Sequence, residues 1–462
     1  MPAWHEMSAL ALGAEIERGA IDPRDLAAYF AERIAWADPE RRIYARLTPA
    51  RMAAEAQAAR DRQQRGLRRS PLDGVPLSYK DLFDMAGEVT AAGTALLADN
   101  VARRDAPVVA RLARAGVVSL GKTTMSEFAF SGLGVNPVCG TPPYLFDTKT
   151  QRAPGGSSSG AAVSVAAGLA AAALGTDTGG SVRIPAAWNG LAGLKTTAGL
   201  ISTEGVAPLS RVYDSVGPLT RDVADAAALF GLLAARPVPD LTGARARDVH
   251  AVVPSNPPAC DVAPPVREAF EGALDRLARA GCTLRRRPVA ALEEAHRLLT
   301  ELGNPVTAHA QAEWGELVRR APGKVFAPIR SRIAEGEGMS AETLARLNFG
   351  LQEASRELRA EMAGEGPLLM PAVSMGPPPL NPLLETPAAH AEANLAALKL
   401  PRLANFLTLA SVTVPAGATA ETADGPALPF GVMLTGAPHS EGRLLRMAAA
   451  LETCFAAPPH PH

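Results

Sequence analysis

The chain predicts a layered α/β protein, and three observations carry that expectation. Helical and strand-like stretches alternate from residue 7 to residue 233, the pattern of sheets covered by helices. Apolar residues make up 47% of the 462, enough for a large core. The stretch 153–200 carries only three charges, Asp177, Arg183 and Lys195, in a chain that is 20% charged.

Taken in order, residues 7–37 and 49–66 have helical period, with Pro23 placed where a helix can begin. In SPLDGVPLSYKDLFD the pattern changes: Val75, Leu77 and Tyr79 alternate with Pro76, Ser78 and Lys80, as on a strand. A helix over 107–115 leads into the strand GVVSLGKTT. In 153–200, glycines and serines crowd two places, 155–160 and 175–181, with a small-residue helix expected between them. From about 237 the chain becomes proline-punctuated, with joints at 237–239 and 254–265. Helices are expected at 266–281, 288–303 and 340–363, and a buried strand at 366–375. Further strands are expected at SVTVPAG and LPFGVMLTG, then a helix at 440–455 and a mobile tail at 456–462.

Charge and composition exclude several classes. The net charge is −1 and no long basic run occurs, which argues against nucleic acid and anionic membranes as partners. The run 161–175 is too short and too rich in Ala and Gly to span a bilayer. Cys139, Cys260, Cys282 and Cys454 lack metal-ligand or disulfide-framework spacing. The first twenty residues lack the cationic start and apolar stretch of a secretory signal. A soluble cytoplasmic protein is the expectation.

The two Gly/Ser clusters carry the chemistry. Glycine lets backbone approach a ligand closely, and successive N–H groups in such turns form an anion-binding concavity. An oxyanion site beside a serine competes here with a bland reading, tight packing of small residues. Gly116 to Thr123 fits the phosphate-loop spacing, but its interior reads as strand rather than loop. Ser119 and Lys122 fit S-x-x-K without that motif's partner patterns. Gly156-Ser-Ser-Ser-Gly160 fits a nucleophile elbow with Ser158, yet a polar, proline-ended segment precedes it. Histidine is absent between His5 and His250; His296, His309, His390 and His439 would have to fold back. Lysine offers another base: the chain has six lysines against forty arginines, and four of the six fall within 80–195. A desolvated lysine can accept a proton, whereas arginine stays protonated. Packing or pairing with Asp81 and Asp84 is the plainer role for Lys80.

Together these residues resemble the amidase signature family, serine hydrolases with a Ser–Ser–Lys triad. The resemblance rests on DGVPLSYKD around Lys80, GKTTMSEFAF from Gly121, APGGSSSGAAVSVAAG from Ala153 and GTDTGGSVRIPAAWNGLAGLKTT from Gly175. SVTVPAG and LPFGVMLTG extend it over nearly the whole chain. It implies an α/β/α sandwich around a large mixed β-sheet, one domain over 1–455, with a signature core at 65–233 and a more variable, substrate-shaping region at 237–400. It further implies Ser181 as nucleophile, Ser157 as bridging serine on a cis peptide and Lys80 as base. The N–H groups of Thr178, Gly179, Gly180 and Ser181 would form the oxyanion hole. Ser158 would help hold the lysine, and Asp177 and Arg183 would brace the loop. Phe128, Phe130 and Gly132 are candidate substrate contacts, with Trp314, Phe326 and Met375 as further candidate walls. The implied activity is hydrolysis of a small, linear carboxamide without metal or organic cofactor, with a homodimer left open. The glutaminase subunit of a tRNA-dependent amidotransferase shares these motifs and is the main alternative, although 380–400 looks different from that subunit. An esterase using Ser158 is the second alternative.

Overall fold

The computed structural model describes residues 3–419 and 425–455; the tail expected at 456–462 lies outside them. The strands are β1 (Tyr44–Leu47), β2 (Pro76–Lys80), β3 (Val118–Thr123), β4 (Ala172–Asp177), β5 (Ala192–Lys195), β6 (Ser215–Thr220), β7 (His250–Pro254), β8 (Thr283–Arg287), β9 (Leu368–Pro371), β10 (Ala410–Thr419) and β11 (Leu428–Gly436). They form one eleven-stranded mixed sheet in the order β1-β3-β2-β4-β6-β5-β10-β11-β9-β7-β8. Strands β3, β2 and β4 are mutually parallel, as are β8, β7 and β9, and antiparallel pairs join the two groups.

Side chains alternate across a strand, and in this sheet both sets are buried. Along β7, Ala251 and Val253 enter one core while Val252 enters another; Leu369 parts from Leu368 and Met370 in the same way along β9. Strands buried on both faces read as continuous apolar runs, as AALG does in β4. Helices cover the two faces, and the fold is α/β around a large mixed sheet. No helix of the described residues is long and apolar enough to cross a membrane.

The strands at β2, β3, β9, β10 and β11 fall where the sequence places them. The helical period over 7–37 resolves into Ala9–Glu17 and Pro23–Ala37, the second opening at Pro23, with Gly19 at φ +76° between them. Between the Gly/Ser clusters lie both a helix, Ser159–Ala166, and the strand β4. Residues 118–123 are strand within the phosphate-loop pattern, so no loop exists there to cradle a phosphate.

Candidate active site

Parallel strands β2 and β4 are direct neighbours, with Tyr79 opposite Leu174. Their carboxyl ends therefore open on the same edge of the sheet, where ligands of open α/β sheets gather. Lys80 is the last residue of β2, and the loop 178–181 leaves the end of β4. The Ser159–Ala166 helix begins at that edge, and Ser157 just before it meets Lys80.

Lys80 is fully buried, and its Nζ donates to Ser157 Oγ at 2.7 Å and to Thr176 Oγ1 at 2.8 Å. Burial lowers its pKa to about 7, against the opposing pull of the Asp214 and Asp177 carboxylates. The Gly156–Ser157 peptide is cis. Ser158 makes no hydrogen bond to the lysine: its Oγ donates to the Thr176 carbonyl at 3.2 Å, and its N–H donates to the Ser181 carbonyl at 3.2 Å. The second partner of Lys80 is Thr176, which sequence reasoning did not single out. A hydroxyl near the end of a strand has no motif-level signal; only the strand register brings it across to Lys80. Among the described residues Ser158 Oγ has no histidine partner, so the elbow arrangement lacks its base.

Asp177 organises the loop after β4. Its carboxylate accepts the N–H groups of Gly180 (2.8 Å) and Val182 (3.0 Å) and the Arg183 guanidinium through Nε (3.1 Å) and Nη2 (2.9 Å). Burial pushes the Asp177 pKa up, but the Arg183 charge and hydrogen bonds outweigh it and hold the group well below the usual carboxylate range. Asn405 joins the cluster, donating to Asp177 Oδ1 at 2.9 Å and accepting from Arg183 at 2.6 Å. Asp214 caps the opposite side. It accepts the Thr178 hydroxyl and the N–H groups of Leu209 (3.0 Å) and Ser210 (3.1 Å), and burial raises its pKa to about 6.

This bonding revises the expected oxyanion donors. The Gly180 N–H is committed to Asp177, so it is not free for a ligand. Among the described residues the N–H groups of Thr178, Gly179 and Ser181 have no acceptor in the chain, and these three residues line a narrow cleft. The Ser181 side chain opens to the same cleft, and its hydroxyl has no hydrogen-bond partner among the described residues.

Of the expected substrate contacts, Phe130 and Gly132 line the cleft and Phe128 does not. A left-handed turn at Phe128 (φ 51°) and Ala129 (φ 58°) carries the Phe128 ring away to pack on Trp314, with centroids 5.1 Å apart. Trp314 donates its Nε1–H to the Pro208 carbonyl, and Met375 lines a second, surface cavity that shares Arg402 with the cleft and also holds Asp261 and Glu392, neither of them ion-paired to Arg402. Phe326 packs edge-on to His390 and also lies outside the cleft. The remaining walls include Leu209, Phe406, Arg332 and Arg402. Among the described residues no group of three or more His, Cys, Asp or Glu is placed to hold a metal ion.

The fold and this edge of the sheet define a class, the hydrolases of carbon–nitrogen bonds. A family model named Amidase matches residues 25–445, and the chain belongs to the amidase signature family. It is 34% identical over 427 residues to the 2-amino-5-chloromuconic acid deaminase of Comamonas testosteroni, covering 91% of this chain and 90% of that protein. It is 33% identical over 507 residues to a glutamyl-tRNA(Gln) amidotransferase subunit of Anaeromyxobacter dehalogenans, covering 97% of each. Among solved structures, an amidase superposes with a TM-score of 0.85 at 31% identity, over 97% of this chain and 100% of that one. The peptide amidase of Stenotrophomonas maltophilia superposes with a TM-score of 0.80 at 27% identity, over 99% and 98% of the two chains.

Proposed function

We propose that the chain hydrolyses a small carboxamide through an acyl-enzyme on Ser181, with Lys80 as base and Ser157 carrying the proton between them. The observation that carries this reading is the buried Lys80 amine, 2.7 Å from Ser157 Oγ, with a pKa of about 7. A base is most effective when its pKa lies near the working pH. Neutral Lys80 takes the proton of Ser157 while Ser157 takes that of Ser181, and Ser181 Oγ attacks the amide carbonyl. The N–H groups of Thr178, Gly179 and Ser181 then receive the negative oxygen; losing one such donor costs about 10²–10³ in rate. The proton returns through Ser157 to the departing nitrogen, which leaves as amine or ammonia. Water attacks the acyl-enzyme by the same route in reverse order and frees the acid.

The test is the pH dependence of kcat/KM on a panel of small amides. The reading expects a rise with a midpoint at about pH 7, because only neutral Lys80 can accept a proton. A rate independent of pH across that midpoint, in a protein whose Lys80→Ala variant still turns over, rules the lysine base out.

The similarity to the amidotransferase subunit over 97% of both chains favours a second reading, an ammonia-releasing component of a larger assembly. Release of ammonia from glutamine only when a partner protein is added separates it from the first.

A further inference from the structure

The Ser181 cleft holds two cations and no anion of its own to balance them. Arg332 and Arg402 both line it, and no aspartate or glutamate does. Arg402 is 6% exposed, yet among the described residues it makes no ion pair and no hydrogen bond, and its Nε is buried without a partner. Arg332 lies over the Phe130 ring, 4.1 Å from its centroid, and spends one N–H on the Phe130 carbonyl. It too has no carboxylate within ion-pair distance among the described residues. Burial lowers the pKa of both to about 10; for Arg332 the more distant Glu335 opposes the shift and Arg402 adds to it. Both nevertheless remain charged near neutral pH.

An uncompensated buried charge is expensive, and two guanidinium groups near one another add repulsion. A fold retains such an arrangement without penalty only if something else supplies the counter-charge. Guanidinium matches carboxylate geometry, offering paired N–H donors and a fixed positive charge. Elsewhere in this chain buried arginines do find that partner: Arg183 pairs with Asp177 at 2.9 Å and Arg152 with Asp147 at 2.7 Å. Arg221 finds backbone carbonyls instead, whereas Arg402 finds neither.

We propose that Arg402, with Arg332 beside it, forms a carboxylate-binding subsite in the Ser181 cleft, so that the amide this chain takes carries a free carboxylate elsewhere on the same molecule. The simplest members of that class are half-amides of short dicarboxylic acids. This rests on the hydrolase reading for the reacting amide, but the subsite itself binds whether or not Ser181 reacts.

Two measurements test it separately. In the first, ammonia release is followed from succinamate, glutaramate and adipamate beside the neutral amides of matched length. Wild type is expected to favour at least one half-amide by about 10²-fold or more in kcat/KM, within the range for losing one partner of a buried charge pair. In Arg402→Met that ratio is expected to fall towards one, with Arg402→Lys between. Equal turnover of charged and neutral amides by wild type, or an equal fall for both in Arg402→Met, overturns the subsite. In the second, succinate, glutarate and adipate are titrated into the Ser181→Ala protein by calorimetry. Binding is expected there and is expected to vanish when Arg402→Met is added; no binding of any of the three, or unchanged binding, overturns the proposal. Thermal unfolding guards against a folding defect, since removing an unbalanced buried charge is expected to leave Arg402→Met at least as stable as wild type. Dicarboxylate binding that depends on Arg402, without hydrolysis of any amide, would keep the subsite and reject the hydrolase. Labelling of Ser181 by a fluorophosphonate without preference for charged amides would do the reverse.

Discussion

In the proposed mechanism Lys80 and its two hydroxyl partners hold the chemistry. A lysine whose pKa falls to about 7 spends much of its time neutral, and the Ser157 and Thr176 oxygens fix where its amine sits. Lys80→Ala is expected to lower kcat/KM by at least about 10²–10⁴, the range for losing a positioned base. Lys80→Arg is expected to be no better, because arginine keeps its proton; amide turnover by the two variants checks both statements. Thr176→Val removes an acceptor that favours the charged ammonium, so the Lys80 pKa should fall further and the midpoint of the pH–rate curve should move below that of wild type. A midpoint that stays in place would mean that Thr176 does not touch the working amine. At this scale the sequence was partly legible. The scarcity of lysine and its clustering within 80–195 point to Lys80, whereas Ser157 and Ser181 follow only from the family resemblance, since the local spacing alone points to Ser158. Thr176, Asp214, Asn405 and Arg402 were not legible, because each reaches the site through strand register or chain return. Separations of 96 residues between Lys80 and Thr176 and 228 between Asp177 and Asn405 leave no local pattern.

At the scale of elements, the loop 178–181 is held because Asp177 gathers its backbone. That carboxylate and Arg183 are both fully buried. Replacing one partner leaves the other charge stranded, at a cost of about 3–5 kcal/mol. Asp177→Asn is therefore expected to lower thermal stability sharply and to abolish activity, since the Gly180 N–H and the loop lose their anchor; calorimetry beside an activity assay reads both. Retained Tm would show that the cluster is not the anchor. The approach of the chain before Ser157 depends on Gly134, whose φ is +79° and where an added Cβ would meet the Gly155 carbonyl oxygen at 2.3 Å. Backbone cannot move aside as a flexible side chain can, so Gly134→Ala is expected to lose both folding yield and activity. The same scale shows why the second half of the chain was harder to read. The strand β8, TLRRR, carries three arginines at the sheet's edge and lacks the apolar run that marks β4. The helices Pro305–Arg320 and Pro387–Leu398 each open on a proline in the first-turn position.

The whole molecule places this site by joining two parallel strand groups through antiparallel pairs in one sheet, so segments from 80 to 406 converge on the carboxyl ends of β2 and β4. The layered α/β class was visible in the alternation of periods. The strand order was not, because it depends on long connections that cross between the two groups. Such a core also buries charge, with a consequence for stability. Lys80 and Lys195 are both buried with pKa values lowered to about 7 from 10.5. Above pH 7 the unfolded chain binds more protons at these two positions than the folded chain, so their contribution to stability rises with pH. Below that pH both are charged in either state and the full burial penalty remains. From about pH 7 to about 8.5, before thiols and tyrosines ionise, Tm is expected to rise and the rise to shrink in Lys80→Met. A Tm that falls across this window, unaltered by the substitution, would contradict the buried-lysine account.

The most direct single measurement is peptide mapping of the serine modified by a fluorophosphonate. The account predicts modification at Ser181, opening on the cleft beside the free N–H groups of Thr178 and Gly179, and loss of that modification in Lys80→Ala. Modification at Ser158, or labelling of Ser181 that is indifferent to Lys80, would contradict it.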